Sequence, residues 1–182
     1  MIVAFDASLL VYVFNKKAGA PSDPNTGQPV TRCPDRIRFL LQTIEREKGK
    51  IVIPTPALAE VLVKAEKAAP DYLTEFDRNR HFKLAGFDKR AMIEFVAMER
   101  ERMDGATIVA ESPRSKPKAK FDQQIVAIAK VENATTIYSD DDDIRKLAKR
   151  HNIEVIGIAQ LPLPPEDDQG RLPLESEGEG DD

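Results

Sequence analysis

FDQQIVAIAKVENATTIYSDDDDIRKLAKRHNIEVIGI, residues 121–158, alternates two helical segments with two short strands. Phe121–Val131 reads as a helix opened by Asp122. Thr135–Tyr138 is a β-branched strand. Asp141–Arg150 reads as a second helix, and the acids Asp140–Asp143 stand at its start, where the helix dipole favours negative charge. Ile153–Ile158 is a last strand. Strands separated by helices argue for a parallel sheet covered on both faces.

The same alternation extends toward the N-terminus. Ile2–Phe5 is a short apolar run that reads as a buried strand ending at Asp6. Asn15–Pro34 is rich in Gly, Pro, Asp and Asn and reads as a long loop. Asp35–Lys48 places Ile37, Leu40, Leu41 and Ile44 on one helical face, and Gly49 follows its end. Ile51–Ile53 is a second strand. Thr55-Pro56 then reads as an N-cap with proline at the first helical position, opening a helix over Ala57–Ala68 that carries Glu60. Pro70–Asn79 suggests a short helix, Phe82–Ala85 a weak strand, and Asp88–Met103 a helix with Ala91, Phe95 and Met98 inward. Residues 104–119 are broken by Gly105, Pro113 and Pro117, and read as a basic loop. Residues 1–160 thus form one domain. Residues 161–182 are Pro-rich and then acidic, and such a segment cannot bury enough surface to order itself.

Composition narrows the function. The 182 residues are 41% hydrophobic and 32% charged, ordinary for a soluble globular protein. No apolar run approaches the roughly 20 residues of a membrane span. The apolar N-terminus lacks a basic region and carries Asp6 in its middle, unlike a signal peptide. One cysteine, Cys33, allows no intrachain disulfide and no thiolate cluster; a cytoplasmic location fits best. His81 and His151 lie far from any HxxxH or CxxC partner, which argues against zinc. The net charge of −4 conceals an acidic C-terminus. Without residues 165–182, the 27 basic and 31 acidic side chains become 26 and 23, a slightly basic body compatible with a phosphate-backbone partner.

In open parallel sheets, ligands bind beyond the carboxyl ends of the strands. Asp6 ends the first strand, Asp140–Asp143 follow the fourth, Glu60 lies about one turn past the second, and Asp122 follows the basic loop. Each alone has a structural reading: Asp6 and Asp122 as caps, Glu60 as a solvated helix residue, Asp140–Asp143 as a charged helix start. Together they make a cluster that repels itself, by roughly 3 kcal/mol for a pair 5 Å apart at an effective dielectric near 20. A divalent cation reverses that cost. Hard oxygen ligands without His or Cys point to Mg²⁺ or Mn²⁺, whose chemistry beside a phosphodiester is hydrolysis. Asp6, Glu60, Asp122 and Asp141 are the catalytic candidates and metal ligands, with Asp143 as a further ligand. No GxxxxGK[ST] or GxGxxG phosphate loop occurs, and no Ser–His–Asp or Cys–His set competes.

With these segments in hand, the sequence resembles the PIN-domain ribonucleases. Residues 121–158 resemble the family's Asp-opened helix, strand and Thr/Ser-x-Asp-x-Asp turn, with Ser139, Asp141 and Asp143 in those places. IVAFDASLLVYVF resembles the opening strand with its Asp, here Asp6, followed by Ser8. IPTPALAEVLVK resembles the segment carrying the family Glu, here Glu60. The resemblance covers about residues 1–158. It implies a five-stranded parallel sheet of order 3-2-1-4-5 with helices on both faces, and Mg²⁺- or Mn²⁺-dependent endoribonuclease activity. It also implies a toxin of the VapC-like kind, with an antitoxin protein as partner and a homodimer as its form. Ser139 and Ser8 would support the site. Arg114, Lys116, Lys118 and Lys120 would hold the RNA backbone. The chain departs from the short toxins in its 15–34 insertion, its basic loop and its acidic tail. A reading from another class is an RNA-binding or assembly module of the same fold without catalysis; the presence of all four acids ranks it second. A phosphatase needing Asp-x-Asp after its first strand is disfavoured by Asp6-Ala7-Ser8.

Overall fold

The computed structural model describes residues 1–15, 17–104 and 116–165. Among them the chain forms one five-stranded parallel sheet. Strand β1 (Ile2–Phe5) lies at its centre, between β2 (Lys50–Pro54) and β4 (Thr136–Tyr138). The edges are β3 (Phe82–Ala85) and β5 (Glu154–Ile156), giving the order β3-β2-β1-β4-β5 that the resemblance implies. Successive strand residues face opposite sides of a sheet. Val3, Ala4 and Phe5 are all fully buried, so both faces are covered, and the continuous apolar run of β1 is the sequence mark of that.

The helices are α1 (Ala7–Phe14), α2 (Cys33–Arg46), α3 (Thr55–Ala65), α4 (Ala69–Arg78), α5 (Lys89–Asp104), α6 (Lys116–Val131) and α7 (Asp142–Arg150). The expected α2 face holds: Ile37, Leu40 and Ile44 are buried and Leu41 packs against them. Ala91 and Met98 of α5 are buried as expected, with Phe95 packed on the core. Helix α6 runs between α5 and α7 and also touches α3 and β2. Its residues Ile125–Ala129 are buried without a break.

Several boundaries differ from those expected. Helix α1 follows Asp6 directly; apart from Ser8 and the Tyr12 hydroxyl its stretch ASLLVYVF is apolar, and it has no continuous polar face to reveal a helix. Thr55 is not a cap but the first residue of α3, and Pro54, in extended conformation, stands at the cap. Asp122 does not open α6, which begins six residues earlier at Lys116. Pro117 is tolerated there because the first turn of a helix has no partner for its N–H groups. Leu161 belongs to the domain rather than the tail: it is 1% exposed, and its carbonyl accepts a hydrogen bond from the Arg36 guanidinium. Residues 166–182 and 105–115 lie outside the described residues, and with them the expectations for the acidic tail and for Arg114.

Candidate functional site

The carboxyl ends of β1 and β4 are tied together around Asp6. The Asp6 N–H donates to the Tyr138 carbonyl, which prolongs the β1–β4 pairing. Asp6 Oδ2 accepts three hydrogen bonds, from the Ser8 N–H, the Ser8 hydroxyl and the Ser139 hydroxyl. The two serines also accept in turn: Ser8 Oγ from the Asp140 N–H and Ser139 Oγ from the Asp141 N–H, each at 3.0 Å. Asp6 therefore caps α1 and, through two hydroxyls, fixes the backbone of the turn after β4. Burial pushes its carboxyl above the ordinary value, against the lowering effect of the Ser139, Ala7 and Ser8 hydrogen bonds.

That turn carries the acids. Asp140 is a structural residue: its Oδ1 accepts from the Ile158 N–H at 2.8 Å. A Cβ on Gly157 would lie 2.7 Å from that oxygen, so a larger residue there would push the Asp140 carboxylate from this position. Asp141 is the N-cap of α7, with Oδ1 accepting from the Asp143 and Ile144 N–H groups. Such a cap stabilises a helix by about 1 kcal/mol. It occupies one carboxylate oxygen and aims the other, Oδ2, out of the turn.

Asp122 reaches the same place from the second turn of α6. One oxygen each of Asp122, Asp141 and Asp143 lie within 4.8 Å of one another. Lys118, one turn before Asp122 on the same helix face, puts Nζ among them: 2.7 Å from Asp141 Oδ2, 3.4 Å from Asp143 Oδ2 and 3.7 Å from Asp122 Oδ2. The last separation is an ion pair but too long for a hydrogen bond. Asp122 is 8% exposed, and its Oδ2 is one of two buried side-chain polar atoms without a hydrogen bond among the described residues.

The electrostatics follow from this geometry. Burial raises Asp122 to about 6; Lys118 opposes the shift, while the charges of Asp141, Asp6 and Asp143 add to it. Burial acts the same way on Asp141, but its hydrogen bonds with Lys118 and the Asp143 N–H outweigh it and hold the group below its ordinary value. Burial also pulls the Lys118 ammonium down. Its hydrogen bond to Asp141 and the charges of Asp122 and Asp141 prevail and hold it above its ordinary value. Among the described residues, one ammonium thus faces three carboxylates. The donor set is all hard oxygen, and a buried, desolvated oxygen of Asp122 has no hydrogen-bond donor among the described residues. Both features fit a divalent Mg²⁺- or Mn²⁺-type ion.

The remaining sequence candidates fall elsewhere. Glu60 is not in the group. It lies on the exposed side of α3, its side chain 51% accessible, and pairs with Lys64 one turn on at 2.7 Å. Lys118 does not offer its charge outward to a backbone phosphate as expected, because three acids engage it. Lys120 is exposed, while the side chain of Lys116 lies outside the described residues. Sequence reasoning missed the inward role of Lys118 and the structural role of Asp140. The i,i+4 spacing of Lys118 and Asp122 signals the first once α6 is known to begin at Lys116.

The PIN domain family model matches residues 34–150, well over half of the chain. No curated protein matches significantly. Among solved structures, the chain resembles VapBC2 of Rickettsia felis bound to a promoter DNA fragment, at 17% identity and a TM-score of 0.56, over 86% of this chain and 98% of that one. It resembles DNA-bound VapBC of Salmonella typhimurium at 15% identity and a TM-score of 0.53, over 87% and 99%. It also resembles VapC20 of Mycobacterium tuberculosis, a sarcin-ricin-loop-cleaving toxin, at 9% identity and a TM-score of 0.51, over 80% and 94%. Identities this low bear on the fold, and there they agree with the family match: the chain belongs to the PIN domain family.

Proposed function

We propose that the chain is a Mg²⁺- or Mn²⁺-dependent endoribonuclease that hydrolyses RNA phosphodiester bonds as the toxin of a toxin–antitoxin pair. The observation that carries this reading is the three-carboxylate group beyond β4, with its buried Asp122 oxygen that has no hydrogen bond among the described residues. Asp122, Asp141 and Asp143 would hold the ion. A divalent ion supplies Lewis acidity, making hydroxide available at neutral pH and offsetting phosphate charge.

The chain's own residues do the rest. The α7 cap fixes Asp141 so that Oδ2 faces the centre. Asp6 adds buried negative charge behind Asp122, and Ser8 and Ser139 orient it. Glu60 would enter the ligand set only by turning away from Lys64. Lys120, with Arg114 and Lys116, would hold the backbone on either side of the scissile phosphate. Membership of the PIN family supports nuclease chemistry, and the cleavage named for the VapC20 neighbour supports RNA as the substrate. The VapBC neighbours support an antitoxin protein as partner, and homodimerisation is part of the same reading. No described helix is long and apolar enough to cross a membrane.

The test is cleavage of a mixed RNA pool by the purified full chain with Mn²⁺, compared with excess chelator and with Asp6→Asn. Cleavage is expected in the first condition alone. Undiminished cleavage in chelator would overturn the metal mechanism, and undiminished cleavage by Asp6→Asn would remove Asp6 from it. RNA bound but uncut under every condition would favour the binding-module reading.

A further inference from the structure

Lys118 differs from the other paired lysines. Lys64, Lys83 and Lys130 each make a one-to-one contact with a glutamate, Glu60, Glu132 and Glu94 respectively. Lys118 Nζ instead lies within 3.7 Å of three carboxylates, and in each case the nearest oxygen is Oδ2. These three residues are the group whose oxygens gather within 4.8 Å. Two features of the fold put the ammonium there. Lys118 and Asp122 share one face of α6 at i,i+4, and the side chains of a helix lean toward its N-terminus. The cap of α7 directs Asp141 Oδ2 at the same point.

An ion of Mg²⁺ or Mn²⁺ size needs its ligand oxygens at about 2.0–2.2 Å. An ammonium hydrogen-bonded to Asp141 and Asp143 from among the same oxygens takes up the space that such an ion would fill, and repels it by charge. Yet the ammonium is an incomplete substitute. Among the described residues it leaves Asp122 Oδ2 without a hydrogen bond, at 3.7 Å from the ammonium.

We propose that Lys118 is the site's built-in counter-ion: it holds Asp122, Asp141 and Asp143 together when no divalent ion is bound, must leave their centre for one to enter, and so sets the metal affinity. The inference rests on the reading of the site as a divalent-ion site. Its consequence is a preassembled ligand set that stays intact without metal, at the cost of weaker binding. The apparent affinity is reduced by the fraction of molecules in which Lys118 occupies the centre. The 48% accessibility of the Lys118 side chain leaves the ammonium an open route to solvent when displaced.

The experiment is Mn²⁺ titration of the full chain, reading free Mn²⁺ by electron paramagnetic resonance, for the wild type, Lys118→Met and Asp122→Asn. If Lys118 fills the centre in nine molecules of ten, Lys118→Met binds Mn²⁺ about tenfold more tightly than the wild type, while Asp122→Asn binds more weakly. Equal or weaker binding by Lys118→Met overturns the inference and leaves the metal site standing. Absence of Mn²⁺ binding by all three proteins overturns both. Should Lys118→Met fail to fold, lysine acetylation of the wild type, read by mass spectrometry, decides the matter. Lys118 labelling that rises when Mg²⁺ replaces chelator supports displacement, and unchanged labelling overturns it.

Discussion

The two sides of the candidate site are built differently. On the β4 side, Asp141 is held by the cap of α7, and two serine hydroxyls fix the turn before it. Asp122 is buried against this turn from the second turn of α6. On the β2 side, Glu60 stands on an exposed face of α3 with several rotatable bonds and a neighbour, Lys64, that captures it. A carboxylate that also satisfies backbone N–H groups is placed by the fold itself. One that merely points from a helix is placed by whatever charge is nearest. The first kind is a ready ligand, whereas the second needs an incoming ion to recruit it.

The sharpest way to break this comparison is to remove the charge of Asp122. Asp122→Asn should lower RNA cleavage by more than about 10²-fold, the upper loss typical of residues that merely support a metal ligand. In chelator the same change should stabilise the protein at pH 8 by roughly 1–3 kcal/mol, because ionising a buried Asp raised to about 6 opposes folding. Thermal melts and cleavage assays of one preparation check both. A variant that loses activity and stability together would mean that Asp122 is a structural residue.

Proton linkage gives the same point a pH axis. A carboxyl whose folded pKa is raised binds more protons folded than unfolded between the two values, so its contribution to stability is present below the unfolded pKa and lost as pH rises through the folded one. In chelator the stability gap between Asp122→Asn and wild type should therefore open between about pH 4 and pH 6 and stay flat above pH 7. With saturating Mn²⁺ the wild type should regain the advantage. Denaturant melts across that range would show a constant gap if Asp122 were unperturbed.

Glu60→Gln probes the other side. Its pair with Lys64 is exposed, so stability should change by less than about 0.5 kcal/mol. Cleavage should fall by about tenfold, less than for Asp122→Asn, if Glu60 is recruited only on ion binding. A loss equal to that of Asp122→Asn would erase the distinction between the two sides. The smallest expected effect is at the basic residues that precede Asp122 in the sequence. Neutralising Arg114, Lys116 and Lys120 should flatten the salt dependence of RNA affinity by up to about 0.7 per contact removed, and an unchanged slope would place the RNA elsewhere.

The contrast also explains what could be read from the sequence. The apolar runs of β1, β2 and β4 determine the sheet because buried parallel strands tolerate little else, and the family resemblance supplied their order. The run Asp140–Asp143 after β4 marks the start of α7 in the sequence, but not that Asp141 is its cap. Helix α1 is not legible, since a mostly apolar segment has no periodicity to distinguish it from a prolonged strand. The start of α6 was hidden by Pro117 among lysines, which reads as loop. That concealed the shared face of Lys118 and Asp122 and made an interior ammonium look like one more surface charge. For Glu60, the sequence gives the helix and the turn but not which way a long side chain settles.

The central claim is that the β4 side, not the α3 side, holds the ion. Anomalous diffraction from crystals of the full chain soaked in Mn²⁺ tests it directly. The account predicts a manganese peak about 2.0–2.3 Å from carboxylate oxygens of Asp122, Asp141 and Asp143, with Lys118 turned away from them. A peak bound by Glu60 without these three, or no peak beside Asp122 at saturating Mn²⁺, would contradict it.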